Sequence, residues 1–370
     1  MIRGGIAMES LKVHINDLRA GKIVADDIYA NTQYPIIFKN TKISQEHLHI
    51  LKAFNISEIP ILLDENRKND KPQEENSVVN VEMTQVVDSF RKNYIDVIEE
   101  FKKMFNSWEA GAKIDITKVR GLILPLVEKM LEDRTIIFDL HCFCNVKEYL
   151  YHHCIATGLI CAVITQKLGY ERGYVYQMAV AGTLADCGMA RIPLRIRDKK
   201  ETLNQFEFNE IRKHPVFSLQ MVRNLQAVKE EMKEAIFQHH ERLDGSGYPL
   251  KLRVGSISKF GQIIAVADTF HAMTSERLYR SKESPFKVIE MIKESEFGKF
   301  DIQVVQALVD LVATLPIGTK IELSNLEHGE IMFINKFAPT RPLIKLISTG
   351  EIIDLSKNRR FYISRVITNE

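Results

Sequence analysis

The sequence predicts a mainly α-helical protein in which a central all-helical domain lies between a small α+β module and a small β module. Apolar residues recur at helical spacing through most of residues 81–315. Short alternating runs typical of strands lie before residue 64 and after residue 315. A polar stretch without periodicity, residues 64–77, follows the first module and indicates a linker.

These observations divide the chain into five parts. We predict an N-terminal α+β module (1–63), a linker (64–80), connecting amphipathic helices (81–137), a helical domain (138–315) and a small β module (316–370). A chain of 370 residues is long enough for two or three domains with a sizeable core.

The N-terminal module is predicted to mix short strands with one helix. Ser44 is a suitable N-cap for a helix over residues 44–54, because its hydroxyl can accept a hydrogen bond from a free backbone N–H of the first turn. The predicted strands are 13–15, 23–24, 36–38 and 59–63.

A long amphipathic helix is predicted over residues 81–108, where apolar residues keep a helical spacing. Such a helix either pairs with a second copy of the chain and relays a signal, or packs into the core, and the sequence favours neither. A second helix follows at 116–131.

The central domain and the β module complete the prediction. The helix 174–185 is expected to end near Gly188 as its C-cap. A barrel of about five strands is expected after residue 315. The other predicted helices are 208–223, 225–238, 258–273 and 286–294, and the predicted C-terminal strands are 316–324, 331–334, 343–347, 351–355 and 361–367.

Charge and hydropathy exclude some classes of protein. The chain has 50 Lys and Arg against 48 Asp and Glu, and this balance argues against a partner that is a nucleic-acid polymer. No apolar run reaches the length of a membrane span, and the N-terminus lacks the apolar core of a signal peptide. We therefore expect a cytoplasmic protein.

Two adjacent histidines run directly into a rigid turn. His239 and His240 are followed by an Asp-Gly-Ser-Gly turn and by Tyr248-Pro249. Neutral imidazoles are common metal ligands, while glycine and proline fix the geometry of a turn. The pattern favours a metal site over the alternative, which is a surface helix that stops at a glycine-rich turn.

Five segments, in order along the chain, resemble the metal-binding motifs of the HD-GYP family of cytoplasmic bacterial phosphohydrolases. The resemblance covers about residues 138–315 and implies an all-helical fold, a cluster of metal ions and hydrolysis of cyclic di-GMP. The residues that match the family's ligands are His153, Asp186 (before Gly188 and Ile192-Pro193), His214 (before Pro215), His239, His240 and Asp268 (after Val266-Ala267). The resemblance gives Asp186 the catalytic role of bridging two ions.

Seven positions depart from the family pattern, and three of them, Lys251, Val254 and Gln262, are not expected ligands. Ala185 replaces a histidine ligand and Met189 replaces a lysine. Tyr149 stands where some members carry a carboxylate for a third ion, which disfavours a three-metal site. His271 stands where the family usually has a second acid. His271 is either a replacement ligand or a residue with a supporting or packing role, and we favour the supporting role.

The departures divide the predicted metal site into two unequal halves. Asp186, His214, His239 and His240 form a complete set of nitrogen and oxygen ligands suited to Fe, Mn or Zn. The other position, around His153, Asp186 and Asp268, lacks the imidazole of residue 185. We therefore expect one divalent transition metal ion or fewer per chain.

The resemblance also implies a nucleotide site. It assigns Gly247, Tyr248 and Pro249 to the ligand loop, and Arg277 and Arg280 to a basic segment that holds a phosphate. The predicted function is a cyclic di-GMP phosphodiesterase-like protein with impaired or lost hydrolysis and a role in binding or signalling. The alternatives are an active phosphodiesterase with a rearranged site, or a protein-interaction module that no longer binds nucleotide. The expected partners are cyclic di-GMP, a signalling protein and a second copy of the chain paired through helix 81–108.

Overall fold

The computed structural model shows a mainly α-helical protein with a small sheet at each end of the sequence, as predicted. The structure describes residues 10–15, 17–29, 36–44, 47–48, 51–52, 56–62, 78–276, 283–294, 298–313 and 315–367, with side chains omitted for 78–88. None of the helices described is long and apolar enough to cross a membrane.

The N-terminal module is built on an antiparallel strand pair, β1 (Ser10–His14) and β2 (Glu58–Leu62). The predicted strands 23–24 and 36–38 are wrong, because the chain makes only isolated bridges there, such as Ile28 with Ile37. Ser44 behaves as an N-cap, since its Oγ accepts the N–H of His47 at 3.2 Å. This module has an apolar core of its own that includes Val24, Leu51 and Ile59.

Eleven α-helices lie in the described part of the chain after residue 77. They are α1 (Val78–Glu109), α2 (Ile116–Glu132), α3 (Tyr149–Lys167), α4 (Arg172–Leu184), α5 (Leu194–Arg197), α6 (Gln205–Ile211), α7 (His214–Val222), α8 (Glu230–Gln238), α9 (Lys259–Thr274), α10 (Pro285–Glu294) and α11 (Ile302–Val312). Short 3₁₀ turns connect some of them, at Arg134–Phe138, Leu140–Cys142, Val146–Glu148 and Cys187–Arg191. Residues 78–80 belong to α1, so the predicted linker extends three residues too far.

Helix α3 is the central helix. Its residues are buried on every side from His152 to Thr165, and α4 and α9 pack against it. A helix that is apolar all round must lie inside the fold, because no face of it suits water. This position places the start of α3, and the histidines there, in the interior.

Most predicted helix boundaries differ from the structure by one to three residues, and three predictions differ in kind. The predicted helix 208–223 is two helices, because Pro215 lies at the start of α7, where its fixed φ and missing N–H suit a first turn. Helix α8 begins at Glu230 rather than at 225, after an extended Lys229. Helix α4 ends with Ala185 as its C-cap, so Gly188 is not the cap.

The C-terminal sheet contains five antiparallel strands in the order β6-β5-β4-β3-β7. They are β3 (Lys320–Leu323), β4 (His328–Phe333), β5 (Leu343–Leu346), β6 (Ile352–Asp354) and β7 (Ile363–Val366). Five strands were predicted, but the barrel is wrong, because in the described residues no ladder joins the edge strands β6 and β7.

One hydrophobic core continues from Phe90 in α1 to Ile363 in β7. The sheet is also tied to α10 by Arg341, whose guanidinium binds the Glu290 carboxylate at 2.7 and 2.6 Å. The helices of 81–137 therefore pack into the same core as the central helices. The domain boundaries at 138 and 316 stay predictions.

Candidate metal centre

Each predicted metal ligand lies at or near the end of a helix, or on a helix that faces the interior. His153 lies in the first turns of α3, and Asp186 directly follows α4. His214 begins α7, while His239 and His240 follow the end of α8. Asp268 lies in the middle of α9.

Close backbone packing brings the Asp186 turn against the start of α7. A Cβ on Gly188 would lie 2.1 Å from the carbonyl oxygen of His214, so no other residue fits there without displacing backbone. The Ser218 hydroxyl accepts the N–H of Gly188 at 2.8 Å and donates to the carbonyl of Ala185 at 2.6 Å. These contacts fix Asp186 beside His214.

The first group contains Asp186, His214, His239 and His240, whose ligand atoms lie within 4.8 Å of one another. Oδ1 of Asp186 lies 3.0 Å from Nε2 of His214 and 3.6 Å from Nε2 of His239. The two Nε2 atoms are 3.2 Å apart. His239 is fully buried, and Asp186 is only 8% exposed.

The hydrogen bonds of this group show that it suits a cation. Nδ1 of His214 lies 2.8 Å from the carbonyl oxygen of Ile211, and Nδ1 of His239 lies 2.6 Å from that of Ile236. A carbonyl only accepts, so each Nδ1 carries a hydrogen, and Nε2 is the ring atom that each imidazole directs at the Asp186 carboxylate. Oδ1 of Asp186 and the two Nε2 atoms are all possible lone-pair donors, so a metal ion or a proton is needed between them. Metal-binding histidines characteristically have their second nitrogen fixed in this way.

The second group contains His153, Asp186 and Asp268. Nε2 of His153 lies 2.8 Å from Oδ1 of Asp268 and 3.3 Å from Oδ2 of Asp186. Ala185, at the position of the missing imidazole, is buried and offers only a methyl group. This group has one nitrogen and two carboxylates, and it shares Asp186 with the first group.

Tyr149 and His271 contact the ring nitrogen of His153 that does not face the carboxylates. Nδ1 of His153 lies 3.1 Å from the Tyr149 hydroxyl and 2.9 Å from Nδ1 of His271. The Tyr149 ring stacks on the His153 ring with centroids 5.2 Å apart. His271 therefore contacts the nitrogen of His153 that does not face the carboxylates, which is the position of a supporting residue.

The protonation states reflect the same geometry. Burial opposes a charge on His153, but the hydrogen bonds to Asp186 and Asp268 outweigh it and raise the pKa of His153 to about 9. Burial next to His239 holds the pKa of His240 well below its usual value. Although burial opposes ionisation, the surrounding imidazoles keep the pKa values of Asp186 and Asp268 below normal. The cluster thus keeps its carboxylates ionised and His240 neutral.

His152, the neighbour of His153, lies outside both groups. It is buried against the ring of Tyr94, with centroids 5.7 Å apart. Its Nδ1 has no hydrogen-bond partner among the residues that the structure describes. Burial lowers the pKa of His152 to about 4.

The loop after the two histidines is held by a buried carboxylate that the sequence alone did not identify. Glu241 is fully buried and accepts the N–H groups of Leu250 at 2.6 Å and Leu252 at 2.9 Å. A Cβ on Gly247 would lie 2.5 Å from the carbonyl oxygen of His240, which explains the glycine. The Tyr248 ring stacks on the His240 ring with centroids 4.7 Å apart.

The remaining predicted ligand contacts are placed only in part. Pro249 follows Tyr248 in this loop, near the centre. Arg277 and Arg280 lie outside the described residues. Met189, at the position of the family's lysine, is partly buried against the hydrophobic core.

Sequence reasoning missed the roles of Tyr149, Ser218 and Glu241, as well as Arg212, which lies over the Tyr248 ring. The position of Arg212 two residues before His214 was the only available signal for it. The contacts of Ser218 and Glu241 depend on the folded chain, because each joins segments that the sequence alone does not bring together. Tyr149 and His153 are four residues apart on α3, so their spacing was an available signal.

Comparison with known proteins agrees with this geometry. Residues 127–304 match the HD domain family. A cyclic di-GMP phosphodiesterase of Pseudomonas aeruginosa is 28% identical over 262 residues, which are 69% of this chain and 63% of that protein. A 3'3'-cGAMP-specific phosphodiesterase of Vibrio cholerae is 32% identical over 166 residues, which are 44% of this chain and 38% of that protein.

The chain thus spans less than two thirds of the length of either relative. Among solved structures, an HDG"Y"P protein from Bdellovibrio bacteriovorus has 16% identity and a TM-score of 0.48, covering 82% of this chain and 99% of that one. The matched region contains all six of the predicted ligands that converge in the structure. The region 127–304 of this chain therefore matches the HD domain family, as the HD-GYP-like motifs predicted.

Proposed function

We propose that this protein binds cyclic di-GMP at the metal centre and hydrolyses it slowly or not at all. The observation that carries the proposal is that the two groups offer different numbers of ligands. Asp186, His214, His239 and His240 form a four-ligand group, whereas His153, Asp186 and Asp268 form a three-ligand group beside Ala185. Two-metal phosphoester hydrolysis requires both positions to be filled.

HD domain phosphohydrolases are metal-dependent, and the four-ligand group suits one divalent transition metal with mixed nitrogen and oxygen ligands, such as Fe, Mn or Zn. When bound, such an ion supplies Lewis acidity toward a phosphoryl oxygen. His214, His239 and Asp186 are held in place for it by the carbonyls of Ile211 and Ile236 and by the fixed Asp186 turn.

Two features oppose turnover. Ala185 leaves the second position with a single nitrogen ligand, and Met189 leaves no cation at the place of the family's lysine. A missing positive charge weakens the stabilisation of a phosphoryl group as charge develops on it. Binding depends less on these two positions, because Tyr248, Pro249, Arg277 and Arg280 are retained as proposed ligand contacts.

A signalling role is supported by the packing of α1. The Tyr94 hydroxyl donates to the carbonyl of His152 at 3.3 Å, so α1 contacts the helix that carries His153. At its other end, Glu109 pairs with Arg197, which lies shortly after the Asp186 turn. Movement of α1 would therefore act on both segments. We propose that α1 transmits ligand occupancy to a partner protein or to a second copy of the chain.

The test is binding and turnover measured on the same metal-loaded protein. Calorimetry with cyclic di-GMP should show binding, and an assay of the linear dinucleotide and GMP should show little or no product. 3'3'-cGAMP, the substrate named for the Vibrio relative, should be measured in parallel. Rapid turnover would establish an active phosphodiesterase with a rearranged site. Absence of nucleotide binding would identify a protein-interaction module that keeps the HD scaffold.

A further inference from the structure

Arg212 lies at the edge of the metal centre, two residues before the ligand His214. It is the C-cap of α6, and it is partly buried. Its guanidinium carbon is 4.6 Å from the centroid of the Tyr248 ring and 5.8 Å from that of Phe208. The cation therefore contacts two aromatic rings, one of them in the predicted ligand loop.

The Tyr248 ring connects Arg212 to the metal ligands. One ring contact joins Tyr248 to His240, at 4.7 Å with an interplanar angle of 28°, and another joins it edge-on to His214, at 6.3 Å. Arg212 is thus one aromatic ring away from two members of the four-ligand group. Tyr248 is partly buried and packed on His240, so it offers the guanidinium a fixed surface.

The charge of Arg212 is not neutralised by a described carboxylate. No ion pair joins its guanidinium to an acid among the residues that the structure places, whereas its neighbour Lys213 pairs with Glu210 at 2.5 Å. A guanidinium in contact with an aromatic ring can keep its N–H edge available for a planar or tetrahedral anion. Because Met189 has no charge, Arg212 is positioned to supply a cation for the centre.

We propose that Arg212 binds a phosphate of the cyclic dinucleotide and compensates in binding for the missing lysine. This inference rests on the proposed function. The guanidinium contacts the ring of Tyr248 and donates N–H groups to the phosphate oxygens. Phe208, which is 47% exposed, limits the movement of the Arg212 side chain from within α6.

The experiment compares Arg212→Ala and Arg212→Lys with the unmodified protein and with Arg223→Ala, which removes an exposed arginine at the C-cap of α7. Cyclic di-GMP is titrated into the manganese-loaded full chain at two salt concentrations. Arg212→Ala should weaken binding by about 10- to 100-fold, the range for loss of a charge-assisted hydrogen bond, and should reduce the salt dependence of binding. Arg212→Lys should recover part of the affinity, and Arg223→Ala should change little.

Metal content and melting temperature are measured for each variant, because a purely structural role for Arg212 would change these and leave the salt dependence alone. Equal affinity of Arg212→Ala and the unmodified protein overturns the inference. If the unmodified protein binds no cyclic di-GMP, the proposed function fails, and inorganic pyrophosphate then tests Arg212 by itself. Weaker pyrophosphate binding by Arg212→Ala would still support an anion site, and unchanged binding would overturn it.

Discussion

Nδ1 of His271 lies 2.9 Å from Nδ1 of His153, whereas Nε2 of His153 faces the carboxylates of Asp268 and Asp186. The Ser275 hydroxyl lies 3.1 Å from Nε2 of His271, so both nitrogens of His271 have neighbours other than those carboxylates. His271 thus contacts a predicted ligand, and the geometry does not favour it as a substitute for the imidazole missing at Ala185.

Replacing His271 should therefore leave the number of bound ions unchanged. We expect His271→Ala to retain the ion of the four-ligand group, and any weak ion at His153 to bind about 10- to 100-fold more weakly, as is common when a partner of a ligand is removed. A manganese titration with elemental analysis measures both effects. Loss of the tightly bound ion would instead make His271 a ligand.

The metal content should be about one ion per chain or fewer, because a single group among the described residues offers four ligands. His239→Ala should abolish most of this metal, while Asp268→Ala should remove little of it. Elemental analysis of the purified variants makes the comparison. Two tightly held ions in the unmodified protein would show that the three-ligand group is sufficient.

Restoring the two lost residues should restore hydrolysis if they alone block it. The double variant Ala185→His with Met189→Lys supplies an imidazole and a cation at the family positions. We expect higher turnover of cyclic di-GMP and a metal content that approaches two ions per chain. Ala185→His alone is the matched control, and it should gain metal with less turnover. A double variant that gains metal without turnover would indicate a further block.

The loop of residues 241–252 should depend on the charge of Glu241. Its buried carboxylate accepts two backbone N–H groups, so Glu241→Gln loses charge-assisted bonds and leaves an amide that must rearrange. We expect a loss of about 1–3 kcal/mol in the free energy of unfolding, the usual range for a buried group left unsatisfied. Urea unfolding measures it, with the partly exposed Glu231→Gln as control. Equal stability of the two variants would contradict this role.

His152 should make the protein sensitive to acid. Its pKa is about 4 in the fold against about 6.5 in an unfolded chain, so below pH 6.5 the unfolded chain takes up a proton that the folded chain refuses. The stability that this group contributes is present at neutral pH and is lost as the pH falls toward 4. At pH 5 the loss should reach about 2 kcal/mol relative to pH 7.5. His152→Phe should reduce this loss in urea unfolding, and an unchanged pH profile would refute the assignment.

Local patterns were sufficient for most helices, and they also selected the six residues that the structure brings together in two groups. Ser258 accepts the N–H of Gly261 and caps α9, where the predicted helix began. The patterns failed where distant packing decides the backbone. The apolar spacing from Phe208 to Arg223 continues across the break at Lys213, and it gave no sign that the chain turns there to place His214 beside Asp186.

The roles of neighbouring side chains were harder to predict than the ligands. Tyr149 was considered only as a missing carboxylate, yet its ring and hydroxyl orient His153. Nothing in the sequence places Ser218 next to Gly188, because 30 residues separate them. The Ser218 contact arises from the packing of whole helices, whereas Tyr149 and His153 lie four residues apart on one helix.

The buried position of Glu241 also affects what the sequence motif from His239 to Pro249 indicates about function. Its carboxylate joins the end of the histidine-bearing helix to the segment after Pro249, and Gly247 has room only for hydrogen against the same backbone. Substitutions in the segment from His239 to Pro249 would impair the folding of the loop as well as its chemistry. The need for a well-folded loop is therefore a sufficient reason for the chain to carry this segment, whether or not the loop takes part in hydrolysis.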